Sequence, residues 1–274
     1  MGKGVYPGMI KKLIIDPEYG MAGDMFTAAL LSVGAPESRV LDVMKSAAAP
    51  LGKVTIRVIK EVRDNVPGIY LHISLDESLP GMEVTRAYEH LKNMCVENGI
   101  KGEYKDFVLR ALTILGEAEQ KAHSERSMGP GHSHHHPHLH EAQDIIIDLA
   151  GAACGMQELG IPLSSVVCLS PVSVGGGTIT FSHGTLDVPA PATAHIIKDF
   201  SIPVVSGPVE KELFTPTGAA ILSALEPEFL ERTSYTLPPK SEHLLTGTGF
   251  GSMRFQTGSA ELNALYIYIP GGEK

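Results

Sequence analysis

"KKLIIDPEYGMAGDMFTAALLSVG", Lys11 to Gly34, decides the fold class. "KKLIID" is a short strand pattern, and Gly20 and Gly23 then punctuate a turn. The apolar run that follows reads as a helix ending at Gly34. A strand that passes to a helix through a glycine turn opens an α/β arrangement.

Working outward, Pro36 suits the first turn of a second helix, expected from Pro36 to about Ala49. "VTIRVIKEV" alternates like a half-buried strand, and "GIYLHISLD" after Asp64-Asn65 reads as its hairpin partner. Helices are expected over Thr85 to Asn98 and Lys105 to His123. From Ser124 to Pro137 the chain turns to Ser, Gly, Pro and His, the composition of a mobile loop or junction. "EAQDIIIDLAGAACGMQELG" then has helical character, starting near His138 and stopping at Gly160-Ile161-Pro162.

"VVCLSPVSVGGGTITFSHGTLDVPA" predicts short strands with glycine turns, and helices follow at Pro191 to Phe200 and Pro216 to Leu225. The second is capped by Thr215, with proline at its first position. "GTGFG", Gly247 to Gly251, reads as a further glycine-rich turn, and "LNALYIYIP" as a last strand. The expected architecture is α/β with α+β character: mixed, partly antiparallel sheet layers with packed helices. Two lobes, 1–123 and 138–274, are expected to be joined by a His-rich loop at 124–137.

At 274 residues, 43% hydrophobic and 19% charged, the chain can bury a sizeable core. Its 22 basic and 31 acidic residues give a formal charge of −9, which disfavours nucleic acid and anionic membranes as partners. Cys95, Cys154 and Cys168 are widely spaced and odd in number, so they read as reduced thiols of a cytoplasmic protein. No signal-peptide pattern opens the chain, and Ile145 to Ile161, interrupted by Asp148 and Glu158, is too short and polar to span a bilayer. GxSxG, HExxH and a Walker lysine are all absent.

Six of the twelve histidines fall between Gly131 and Glu141. His132, His134, His135, His136, His138 and His140 could wrap a transition-metal ion, since neutral imidazole suits Zn, Ni, Cu and Co. The bland alternative is a solvated loop that binds metals only opportunistically. With a helix start near His138, His140, Asp144 and Asp148 fall at i, i+4 and i+8, one polar stripe that could extend a cation site through Glu141. Equally, Asp144 could cap the helix and Asp148 pair with a basic residue.

In "DPEYGMAGDMF", Asp16 ends a strand while Gly23 and Asp24 open a helix, an arrangement able to present backbone N–H groups to an anion. The glycines could instead serve only the turn. Three glycines in "SVGGGTITFSHG" weaken a strand unless another backbone or a ligand comes close. His183 could face such a ligand or be a structural hydrogen-bonder. Thr215 and Thr217 in "FTPTGAA" could cap the helix or greet a phosphate, capping being the plainer role.

Taken in order, "DPEYGMAGDMFTAALLSVG", "HLHEAQDIIIDLAGA", "PVSVGGGTITFSHGTLDVPAPAT" and "LFTPTGAAIL" make the chain resemble the LarC family. These are nickel insertion proteins of the nickel-pincer cofactor pathway that serves lactate racemase. The resemblance implies CTP-dependent insertion of Ni²⁺ into a pyridinium bis-thiocarboxylate mononucleotide, with formation of carbon–nickel and sulfur–nickel bonds. In the family a somewhat longer spacer separates HLHE from the pair matching Asp144 and Asp148, and a CTP-associated C-terminal region follows. This chain ends soon after "LYIYIP", so the resemblance implies the N-terminal, metal-associated portion, with CTP use the weaker expectation.

Two main hypotheses result. In the first, a nickel insertase or its metal-delivering component, the six histidines, Glu141 and Asp144 handle the metal. Asp16, Asp24 and Asp148 act at the reacting centre, and Gly23, His183, Thr215 and Thr217 face the mononucleotide. In the second, the chain is a non-catalytic store or metallochaperone serving a separate CTP-binding partner. A metal-dependent hydrolase using the same carboxylates is a third reading. Oligomeric state is open, a homo-oligomer included.

Overall fold

The computed structural model of the chain describes residues 12–75, 81–126, 138–139, 142–181, 184–236, 244–253 and 263–270. Strand β1 (Leu13–Asp16) is buried throughout, and the turn after it delivers helix α1 (Gly23–Ser32), buried from Met25 to Leu31. Helix α2 (Glu37–Ala48) buries Val40, Val43, Met44 and Ala47, the spacing of one helical face. Strands β2 (Val54–Arg63) and β3 (Val66–Leu75) pair antiparallel over their full length. Asp64 and Asn65 close them with φ of 46° and 64°, the left-handed pair that a two-residue hairpin turn requires.

The two-residue strand β4 (Met82–Glu83) precedes helices α3 (Val84–Glu97) and α4 (Glu103–Arg126). Strand β5 (His138–Leu139) pairs antiparallel with β4, and helix α5 (Ala142–Leu159) follows, apolar on nearly every side and accordingly buried. Then come β6 (Val166–Ser170), β7 (Val172–Ser173), the pair β8 (Thr178–Phe181) and β9 (Gly184–Asp187), helix α6 (Pro191–Asp199) and β10 (Val204–Val205). Helix α7 (Pro216–Leu225) and strands β11 (Glu228–Glu231), β12 (Leu244–Phe250) and β13 (Ala264–Pro270) complete the order.

Seven strands form one sheet in the order β11-β6-β1-β13-β12-β3-β2. The β11-β6-β1 portion is parallel, β13 runs antiparallel to both β1 and β12, and β3 is parallel to β12. The expected mixed, partly antiparallel sheet with packed helices is therefore present. The expected lobes 1–123 and 138–274 both contribute to it: β1 sits between β6 and β13, and one core contains Phe26 and Leu112 together with Ile146 and Ile221.

Two local expectations are corrected. The helix after the histidine tract starts at Ala142 rather than near His138, because His138 and Leu139 pair with Glu83 and Met82. Gly247 to Phe250 is not a turn but the end of β12. Glycine serves close packing there: a Cβ on Gly249 would lie 1.9 Å from the carbonyl oxygen of Met25 on α1. No helix among the described residues is long and apolar enough to cross a membrane.

Candidate functional site

The turn after β1 is stitched to the segment that starts α7. The Met21 N–H donates to the Leu213 carbonyl at 2.9 Å, and the Thr215 N–H donates to Met21 at 3.2 Å. Thr215 caps α7 as expected, its Oγ1 accepting from the Gly218 N–H at 3.1 Å, and Thr217 is buried beside it. The starts of α1 and α7, two positive ends of helix dipoles, therefore adjoin.

Helix α5 crosses α1 here and brings Asp148 to Gly23. A Cβ on Gly23 would lie 2.4 Å from Asp148 Oδ2, so only glycine lets the carboxylate reach the start of α1. Asp148 is 4% exposed and accepts the Asp24 backbone N–H, but its Oδ1 has no partner among the described residues. No basic side chain pairs with it among the described residues. A buried carboxylate without a counter-charge is costly, and few structural roles explain one.

Asp24 and Asp144 stand close enough to bias this group and each other. Burial, then the Asp144 charge, raises Asp24 to about 7, against the pull of N–H donors that include Met25 at 2.8 Å. Burial, then Asp144 and Asp24, raises Asp148 well above the ordinary carboxylate range. Two neighbouring polar atoms are also buried without partners, Gln143 Nε2 on α5 and Thr27 Oγ1 on α1. Among the described residues, no three His, Cys, Asp or Glu side chains are arranged to hold a metal ion. The carboxylates form a buried acidic cluster at the start of α1.

Asp16, placed by sequence at the same centre, has a different environment. Arg232 grips its Oδ1 through Nε at 2.9 Å and through a terminal guanidinium nitrogen at 2.8 Å. The same guanidinium donates to the carbonyls of Pro171 and Leu169. Asp16 is a neutralised carboxylate that ties β1 to the residues after β11.

His132, His134, His135, His136, His140, Glu141 and His183 lie outside the described residues. The backbone of His138 is fixed in β5, which sets the tract's end a few residues before Asp144 on the first turn of α5. Of the alternatives for "SVGGG", another backbone approaches Gly175, which bridges to Glu212. All three cysteines are buried and free, and burial raises the thiols, Cys95 to about 11 and Cys154 to about 12. Thiolate chemistry has no support from such groups. Thr27, Gln143 and Arg232 were not indicated by sequence, because each acquires meaning only from partners distant along the chain.

A family model described as nickel insertion protein matches residues 13–273. Among curated relatives, the pyridinium-3,5-bisthiocarboxylic acid mononucleotide nickel insertion protein of Staphylococcus epidermidis is 32% identical over 90% of this chain and 57% of its own length. The protein of the same name from Clostridium kluyveri is 32% identical over 83% of this chain and 56% of its own. The chain spans little more than half the length of these curated relatives. No solved structure matches it.

Proposed function

The chain belongs to the nickel insertion protein family, and on that premise we propose that it takes part in inserting nickel into pyridinium-3,5-bisthiocarboxylic acid mononucleotide. One observation carries the reading: Asp148, buried with Oδ1 unpartnered, beside the carboxylates of Asp24 and Asp144. A divalent cation arriving there relieves the mutual repulsion of the carboxylates.

In this reading Ni²⁺ is the cargo. His132, His134, His135, His136, His138 and His140 collect it, Glu141 and Asp144 pass it on, and Asp148 and Asp24 hold it against the mononucleotide. Oxygen ligands hold a borderline ion loosely enough to yield it to the softer sulfur of a thiocarboxylate. Gly23 keeps the approach to Asp148 open, Thr215 and Thr217 face the mononucleotide at the joined helix starts, and His183 is a further residue that contacts it. Asp16, paired with Arg232, braces the end of β1 at the reacting centre. The chain's work is to align the acceptor with the ion and keep water out, so that proximity lowers the barrier. CTP, where used, is supplied and bound by a separate region or partner. Three unpaired cysteines suit a reducing, cytoplasmic setting.

A second reading is a metal-delivering component without turnover of its own. It requires only that the histidines collect the ion, with the reacting centre supplied elsewhere. One experiment separates the two readings. The purified untagged chain is incubated with Ni²⁺, the mononucleotide and CTP, and the metallated product is sought by mass spectrometry. Product from the chain alone, lost in Asp148→Asn, supports the insertase. Product that needs an added CTP-binding partner supports the delivery component. Calorimetry showing no nickel uptake tighter than millimolar overturns both.

A further inference from the structure

Strand β2 is the last strand of the sheet, and its outer side is unpaired among the described residues over ten residues. A two-residue turn closes on a hydrogen-bonded pair, here Arg63 and Val66. Alternation then makes the odd-numbered residues of β2 bond to β3. The N–H and C=O groups of Val54, Ile56, Val58, Lys60 and Val62 point outward. Two apolar side chains stand exposed on this strand, Ile59 at 37% and Val62 at 66%. Charged residues usually blunt such an edge. On β2 they are arranged so that one pairing is favoured.

The geometry points to the outer side of β2 as a self-association edge, joining two copies of the chain antiparallel about a two-fold axis at Ile59. In this register Ile59 faces Ile59 of the second copy, and Arg57 faces Glu61, whose carboxylate Arg63 of its own strand already holds, on both sides of the axis. On the other face Ile56 meets Val62, and Val58 lies against the stem of Lys60. Arg57 is exposed and has no ion-pair partner among the described residues.

Shifting by one pair toward the turn sets Lys60 against Lys60 and Arg57 against Arg63, which like-charge repulsion disfavours. Shifting the other way loses both Arg57–Glu61 contacts and sets Lys60 against buried Ile56. The outward groups match only in registers of this parity, so the two sheets would run on as one.

The test uses the whole chain. Sedimentation at tens of micromolar protein is expected to show a dimer. Ile59→Cys places two thiols across a non-hydrogen-bonded pair, about 4.5 Å apart at Cα, a separation that admits a disulfide. Mild oxidation should therefore cross-link most of the protein, the three native cysteines being buried. Lys60→Pro removes one outward donor and leaves the β3 ladder intact, and should weaken the dimer at least tenfold. Arg57→Glu, a gentler change should the proline variant fold poorly, sets like charges against Glu61 and should also weaken it. A monomer at these concentrations overturns the proposal. So does a dimer that Ile59→Cys does not cross-link and Arg57→Glu does not weaken.

Discussion

Asp16 and Asp148 are both carboxylates beside the turn that opens α1, and both are almost fully buried. Asp16 has two guanidinium contacts from Arg232, whereas Asp148 has one backbone N–H and an oxygen with no partner. The first ties β1 to the turn that follows β11. The second sits beside two further carboxylates, and burial raises it well above the ordinary carboxylate range. In a buried position, the completeness of a carboxylate's partners distinguishes a structural brace from a site that awaits a ligand.

The comparison can be broken most directly at the brace. Asp16→Asn leaves Arg232 without a counter-charge, and chemical denaturation should show a loss of about 3 kcal/mol, at the lower end for a buried pair because Arg232 is partly exposed. Gly23→Ala forces a methyl into the Asp148 carboxylate and should cost about 2 kcal/mol, as overpacking does, while also lowering nickel uptake measured by calorimetry. At the unsatisfied carboxylate the sign reverses. Asp148→Asn should raise the stability of the metal-free protein near neutral pH by about 1 kcal/mol, because the cost of keeping this buried carboxyl protonated is removed. Nickel transfer to the mononucleotide should fall by about 10- to 100-fold in the same variant. A melting temperature that drops in Asp148→Asn would remove the contrast between the two carboxylates.

The smallest effect sharpens the comparison through pH. Asp24 is raised from 3.8 to about 7, so between these values the folded protein holds a proton that the unfolded chain has released. Its contribution to stability is complete below about pH 4 and is lost as pH rises through about 7. The metal-free protein should therefore lose stability across this window, and Asp24→Asn should flatten that part of the profile. A profile unchanged by the substitution would show that Asp24 titrates as an ordinary carboxylate.

Local pattern made much of the fold legible. Alternation on both sides of Asp64-Asn65 gave the hairpin, and the Thr215-Pro216 pair gave the start of α7. Glycines misled where their reason was packing: Gly249 admits α1, a partner that the five-residue pattern around it does not contain. The pairing of β5 with β4 rests on two residues from each strand, too few to carry a periodic signal, so the sequence pattern alone extends α5 too far toward His138. At the site, Asp24 is legible as an acidic residue at a helix entrance, and Asp144 and Asp148 as one polar stripe along a helix. Which carboxylate has a counter-ion was not readable, because Arg232 lies 216 positions from Asp16.

The central place of β1 bears on when the site can exist. Its neighbours, β6 and β13, are contributed by distant later parts of the chain, so a ribosome must release everything up to Pro270 before this strand is flanked on both sides. Such long-range closure is slow compared with helix formation. The carboxylate cluster at the start of α1, which needs α5 packed against α1, therefore comes together well after α1 itself has been made.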